Sequence, residues 1–348
     1  MKIITLFLAS SSAAFVPRLQ TERISTGLFE TALIVQNKGG GHGELGFHLA
    51  KLLDAHPKIE NVTIVQDDDA DYLKEPFKSY PKDLPNVLVN SVPMSTDWID
   101  ATFMQNMLGG ERAKYDYVFD NCSKSPTGAH KALVDCAAEW GICKLYCYVS
   151  SAGIYTPSDD GPFPMPETTP IKESAPQNQF DQYVVEKGLP LVSFRPQYIY
   201  GPKSNKHDYL DYYFDYLVKG EPIPIPGDGS QLVSLTNAED VASLLVSPLE
   251  NEEAAISQRY FNCGTDSLVS YKDVAYMCAE AAGIQDVKIE QTEEKGNFPF
   301  RLSNFYVAPD MVKSQLGWAG AKNSLKDDLV WYYEDYKVRK PFLEATVE

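Results

Sequence analysis

Thr31-Ala32-Leu33-Ile34-Val35 is a short, apolar, largely β-branched run, and a glycine-rich segment containing Gly40, Gly43 and Gly46 follows it. Residues 44–55 then carry Leu45, Phe47, Leu49, Leu52 and Leu53, mostly at helical spacing. A strand apolar on both faces is a buried strand of a parallel sheet, and glycines directly after it let the backbone turn tightly into a helix. Val62-Thr63-Ile64-Val65 supplies the next strand, which completes a βαβ unit. Further strands are predicted at Val87-Leu88-Val89, Tyr115 to Phe119, Lys144 to Val149 and Leu191 to Phe194, with helical stretches between them, notably 127–140. Repeated alternation of this kind predicts a Rossmann-type, doubly wound parallel sheet.

The pattern changes near Tyr200. An aromatic helical run (Tyr209, Tyr212, Tyr213, Phe214, Tyr216, Leu217) leads into Pro222-Ile223-Pro224-Ile225-Pro226-Gly227. The expected organisation is a leader over 1–30, a dinucleotide-binding-like domain over 31–200, and a smaller C-terminal α/β lobe over 201–340 that interleaves with the sheet. The 348 residues suffice for a large core, and 44% hydrophobic residues is ordinary for a globular chain. The formal net charge of −17 argues against nonspecific wrapping of nucleic acid, which is driven by Lys and Arg displacing counterions. Six cysteines without paired CxxC spacing, and only five histidines, give neither a disulfide framework nor a structural zinc site. No metal ligands are assigned.

Gly40, Gly43 and Gly46 form GxxGxxG between strand and helix, where a pyrophosphate can approach a helix N-terminus. Asp67, Asp68 and Asp69 follow the second strand, where a carboxylate accepts hydrogen bonds from an adenosine ribose and favours NAD over NADP. Asp67 is the candidate. The alternative is that the glycines serve helix–sheet packing and the aspartates form a solvated turn.

Tyr148-Val149-Ser150-Ser151-Ala152-Gly153-Ile154-Tyr155 resembles the strand and loop that carry the catalytic hydroxyl of extended short-chain dehydrogenases, with Ser151 at that position. In that superfamily a Tyr, and a Lys four residues later, complete the proton transfer. Tyr183 and Lys187 have the spacing, but Gly188-Leu189-Pro190 follows immediately, which puts them at the end of their helix. The distance to Arg195-Pro196 aligns Glu173 with the Tyr position and Gln177 with the Lys position, so standard hydride-transfer chemistry is not expected. Gly227-Asp228-Gly229-Ser230-Gln231 resembles the substrate loop of nucleotide-sugar epimerases. Yet Val233 stands where those enzymes place the arginine that grips the diphosphate.

A narrower resemblance is carried by several runs in order: Gly40-Gly41-His42, Ser150 to Tyr155, Ser193-Phe194-Arg195-Pro196-Gln197-Tyr198, Pro222 to Pro226, Phe261-Asn262-Cys263, Phe298-Pro299-Phe300-Arg301 and Leu316-Gly317-Trp318. Together they resemble the chloroplast stem-loop-binding protein family, atypical short-chain dehydrogenases of plastids, over about residues 31–340. The resemblance implies binding to structured plastid RNA (messenger 3′ hairpins and ribosomal RNA), association with ribosomes or transcription complexes, assembly with itself or a paralogue, and in some members an endonuclease activity dependent on a divalent metal such as Mg²⁺. NAD would then be vestigial or structural. Arg301, Lys203, Lys206 and His207 are the candidate phosphate contacts. The aromatics of 198–216 with Phe298, Phe300, Phe305 and Tyr306 are candidate base-stacking surfaces, with lobe packing as the alternative. Asp67 to Asp69, or Asp208 and Asp211, are the acidic groups that could hold Mg²⁺, with a solvated surface as the ordinary reading.

The first residues fit that setting. Met1-Lys2, the apolar run Ile3 to Ala9 and the small residues ending at Ala14 have the layout of a signal peptide, too short to span a bilayer. A basic, hydroxyl-bearing stretch follows, and Ser12-Ala13-Ala14-Phe15-Val16-Pro17 resembles the cleavage motif of bipartite plastid leaders in algae with secondary plastids. Cleavage near Ala14/Phe15 and delivery to the plastid stroma are expected, with plain secretion as the alternative. The remainder, without a transmembrane segment, carries −18. The functions left in competition are a plastid RNA-binding protein on a decayed oxidoreductase scaffold, an NAD-dependent epimerase, dehydratase or reductase, and an inert structural partner in a plastid assembly.

Overall fold

The computed structural model describes residues 30–36 and 43–341; the leader proposed for 1–30 lies outside them, save for Glu30. Six strands arise in order, β1 (Glu30–Gln36), β2 (Ile59–Asp67), β3 (Leu88–Val92), β4 (Tyr117–Asp120), β5 (Leu145–Val149) and β6 (Leu191–Pro196), and a seventh, Tyr260–Cys263, comes from beyond residue 200. They form one sheet in the order Tyr260–Cys263, β6, β5, β4, β1, β2, β3. Every neighbouring pair is parallel. Glu30, assigned to the leader, already belongs to β1 and pairs with Ile59.

Parallel strands need both faces covered, and β1 shows how the sequence meets that demand. Ala32 and Ile34 join one core with α1 (Gly43–Asp54) and the helices Ala238–Val246 and Asp310–Leu316. Leu33 and Val35, pointing the other way, join a second core with the helices Ala101–Met107, Gly128–Trp140 and Pro176–Glu186. The helix Gly128–Trp140 ends at Gly141, whose φ of 68° gives the left-handed residue that closes a helix without Cβ strain.

A third core lies in the lobe. The helices Asp208–Leu217, Tyr271–Ala282 and Leu325–Arg339 pack around Phe298 and Phe300, both buried. Burying each of these rings contributes roughly 1.5–3 kcal/mol. The lobe is pinned by Arg339, whose guanidinium grips Asp211 through two bonds of 2.7 and 2.9 Å. Because the strand Tyr260–Cys263 and the helix Ala238–Val246 belong to the sheet layers, the chain leaves the sheet for the lobe and returns. The strand order reverses between β1 and β4, which opens a crevice at the carboxyl edge where open α/β sheets bind ligands. None of the six cysteines is in a disulfide. Among the described residues no helix is long and apolar enough to cross a membrane.

Candidate functional site

A cleft of about 350 Å³ lies at the carboxyl edge of the sheet and is walled by three stretches of chain. The loop after β4 contributes Asn121, Ser123 and Lys124; the end of β5 contributes Ser150, Ser151 and Gly153; the segment after β6 contributes Gln197, Tyr198, Lys206 and Tyr209. Gln177, Arg301 and Phe305 complete it. Ser151 is therefore in the cleft, half-buried, with its Oγ accepting the Gly153 N–H at 2.9 Å to cap a single 3₁₀ turn. Gln177 is there too, in the first turn of the helix Pro176–Glu186. Glu173 precedes that helix and is exposed. Tyr198 has a φ of 41°, a left-handed backbone that is strained for a bulky residue and that persists where the surroundings demand it. Burial pushes its phenol up to about 12, so at neutral pH it is a hydrogen-bond donor and not a base.

The glycine segment meets a different environment. Gly40 lies outside the described residues. Gly43 opens α1, and its N–H, one of the unpaired donors of a helix start, donates to Asn205 Oδ1 at 3.3 Å. Gly46 lies against Gln36; a Cβ there would come within 2.4 Å of Gln36 Oε1, so the side chain would have to move. Gln36 itself is fully buried, donating to the Gly43 carbonyl at 2.6 Å and the Tyr80 hydroxyl at 3.0 Å. Glu44 is also fully buried and receives a bond from Ser204. A pyrophosphate approaching this helix start would meet Asn205 already on the first N–H and a carboxylate in the first turn. Asp67 closes β2 and is buried, accepting from Ser95 Oγ at 2.8 Å, whereas Asp68 and Asp69 are exposed.

Residues 39–264 match the model of the NAD dependent epimerase/dehydratase family. The chain belongs to that family. A chloroplast stem-loop binding protein of 41 kDa (form b) from Arabidopsis thaliana is 30% identical over 250 residues, 66% of this chain and 65% of that protein. A trifunctional UDP-glucose 4,6-dehydratase/UDP-4-keto-6-deoxy-D-glucose 3,5-epimerase/UDP-4-keto-L-rhamnose-reductase of the same plant is 25% identical over 85% of this chain and 47% of its own length. The chain thus spans less than two thirds of these curated relatives. Among solved structures, dTDP-glucose 4,6-dehydratase from Bacillus anthracis in complex with NAD superimposes with a TM-score of 0.67 at 14% identity, over 89% of this chain and 98% of that one. That likeness establishes the fold.

Within this epimerase/dehydratase scaffold, Tyr183 and Lys187 lie away from the cleft. Tyr183 donates to Asp135 Oδ1 at 2.6 Å, and the Lys187 ammonium is 2.5 Å from the same carboxylate. Burial opposes ionisation of Asp135, but bonds from Lys131, Lys187 and Tyr183 outweigh it and bring its pKa down to about 2. The pair is a packed aromatic and a surface charge, as its place at the helix end predicts. Val233 is a buried lobe residue.

The charges separate the phosphate candidates. Lys203 is committed elsewhere: its ammonium donates to Ser79 at 2.8 Å and Glu75 at 3.2 Å and lies 3.7 Å from Asp83, so it fastens the lobe to the 75–83 segment. Of the candidate phosphate contacts it is the one whose charge is already paired within the fold. His207 is half-buried, and burial and Arg339 lower its pKa, which keeps it uncharged at neutral pH. Lys206 and Arg301 do line the cleft; the Lys206 ammonium lies 5.2 Å from the Tyr209 ring centre, and the Arg301 guanidinium lies 3.6 Å from that of Phe305 and donates to the Gly153 carbonyl. Lys124, overlooked in the sequence, is the third cation; its place just past a sheet strand was the available signal. No Asp or Glu is among the described lining residues.

The aromatic and acidic candidates are mostly structural. Tyr213, Phe214, Phe298 and Phe300 are core, Tyr306 is buried against Phe163, and of the candidates Tyr198, Tyr209 and Phe305 line the cleft, Phe305 as a buried ring of a small cluster with Tyr155, Met165 and Val307 that Arg301 covers. Asp211 is held by Arg339 and Tyr332, and among the described residues no cluster of three metal-ligating side chains occurs.

Proposed function

We propose that this chain is a plastid-stroma protein that binds structured RNA at the carboxyl edge of its sheet, on an epimerase/dehydratase scaffold whose Tyr–Lys proton relay has been lost. The observation that carries this reading is the cleft itself: Lys124, Lys206 and Arg301 line it, and no carboxylate does so among the described residues, in a chain of net charge −17. A one-signed cleft in low-dielectric walls concentrates its field locally, so a confined anion site works despite a repulsive whole. The stem-loop-binding relative from chloroplasts supports both the ligand class and the compartment. A role in RNA processing, RNA stability or ribosome function is part of the proposal; Mg²⁺-dependent cleavage is not.

The family description and the NAD complex among its structural neighbours support NAD as a ligand of the scaffold. Gly43 and Gly46 at the start of α1 and the hydroxyls of Ser123, Ser150 and Ser151 are the groups that would hold it, after Asn205 has given up the Gly43 N–H.

The test is binding of the full chain to a hairpin RNA across a salt series. Three cations meeting phosphates give a slope of log K on log salt of roughly −2 to −3, and Arg301→Ala should reduce its magnitude by about 0.7 to 0.9. Failure to bind at low salt, or a slope unchanged in Arg301→Ala, refutes the site.

A second reading, a surviving NAD-dependent epimerase, dehydratase or reductase acting on a small molecule or nucleotide sugar, is favoured by one observation: Tyr198 lines the same cleft as Ser151. It requires NADH formation or epimerisation that Tyr198→Phe abolishes.

A further inference from the structure

The cleft has more than charge. Its walls include the rings of Tyr198, Tyr209 and Phe305, and its polar lining includes the amides of Gln177 and Gln197. Two buried polar atoms among the lining residues have no hydrogen-bond partner among the described residues: Ser150 Oγ, a donor and acceptor, and Gln197 Oε1, an acceptor, whose amide nitrogen is fixed on the Phe305 carbonyl. Buried polar groups are normally paired, and the residues that carry these two orphans both wall the cleft, so a ligand that parts the side chains covering them would satisfy them. Exposed cations (Lys124 and Arg301) and half-buried Lys206 flank these groups. At about 350 Å³ the space is at the small end of ligand pockets, which run from roughly 300 to 1,000 Å³.

From this arrangement we propose that the cleft receives one unpaired nucleotide of the bound RNA. The base is swung out of a loop to lie against Tyr198 and Tyr209, with its edge on Gln197 Oε1 and Ser150 Oγ, while its flanking phosphates meet Lys124, Lys206 and Arg301. Charge alone would accept any phosphate chain, duplex included. Rings and orphaned acceptors are of use only to a base that has left its partner, because a paired base presents neither its face nor its Watson–Crick edge. The inference rests on the RNA reading above and adds what part of the RNA is recognised.

The experiment measures full-chain binding to three RNAs of equal charge: a hairpin with an unpaired loop, a fully paired duplex, and the hairpin with one loop base at a time replaced by an abasic residue. The expected result is at least tenfold preference for the hairpin over the duplex, with that preference lost at one loop position and largely kept at the others. A 2-aminopurine at that position should change its fluorescence on binding, and Ser150→Ala or Tyr209→Leu should remove the discrimination while the salt slope stays. Hairpin and duplex binding alike, with the slope still dependent on Arg301, would overturn the nucleotide pocket and leave RNA binding intact. Absence of binding to every RNA would overturn both, and binding of a free nucleoside monophosphate more tightly than of the hairpin would assign the cleft to a small molecule.

Discussion

Asp181 is the acid whose environment most contradicts its charge. It sits on the helix Pro176–Glu186, fully buried, and among the described residues neither carboxylate oxygen has a hydrogen-bond partner of good geometry. Burial raises its pKa from 3.8 to about 7, against the opposing pull of Ser193, Arg195 and Arg259. A group with a raised folded-state pKa contributes stability that is fully present below 3.8 and is lost as pH rises through 7, since the folded chain holds a proton that the unfolded chain releases. At roughly 1.4 kcal/mol per pH unit, the loss between pH 5 and pH 7 approaches 3 kcal/mol, and relaxation or water entry reduces it. Asp181→Asn keeps the shape and cannot ionise. Urea denaturation of both proteins at pH 5 and pH 8 should therefore show the variant gaining on the wild type by about 2–3 kcal/mol at the higher pH, at an unchanged m value. A stability difference that stays flat across that range would mean that the carboxylate is held charged by its arginines, and the burial argument would fail.

Two further outcomes are expected. Asn205→Ala frees the Gly43 N–H at the start of α1, so NAD⁺ should protect the variant against thermal unfolding more than it protects the wild type; equal protection would show that Asn205 does not occupy the pyrophosphate seat. Arg339→Ala leaves the Asp211 carboxylate buried without its guanidinium and should cost roughly 3–5 kcal/mol in chemical denaturation, with much of the loss recovered by the Asp211→Asn, Arg339→Ala double variant.

The helix-end argument about Tyr183 and Lys187 needed no coordinates, because Gly188-Leu189-Pro190 ends any helix, and the structure finds both on Asp135 instead of in the cleft. The same counting placed Gln177 at the missing lysine's position, and Gln177 lines the cleft. The ion pairing of Lys203 is something that local sequence cannot reveal. Its partners Glu75, Ser79 and Asp83 are more than 100 residues away, and only folding brings them to its ammonium. Nor does spacing tell a stacking surface from a core: Phe298, Phe300 and Phe305 look as available as Tyr209 until the fold buries them.

What the amino-acid order settles by itself is therefore the scaffold. Strands apolar on both faces, glycines at the first turn and helices at regular intervals allow a doubly wound parallel sheet and little else, because period and turn chemistry act between near neighbours. The tertiary structure decides which charges remain available. Lys124, Lys206 and Arg301 come from three separate stretches and meet in one cleft, without a carboxylate among its described lining residues, only after the sheet order has placed the end of β4, the segment after β6 and the Phe-Pro-Phe-Arg loop around one edge. A field is a sum over space, so a chain that is strongly acidic along its length still presents a cationic cleft at that edge.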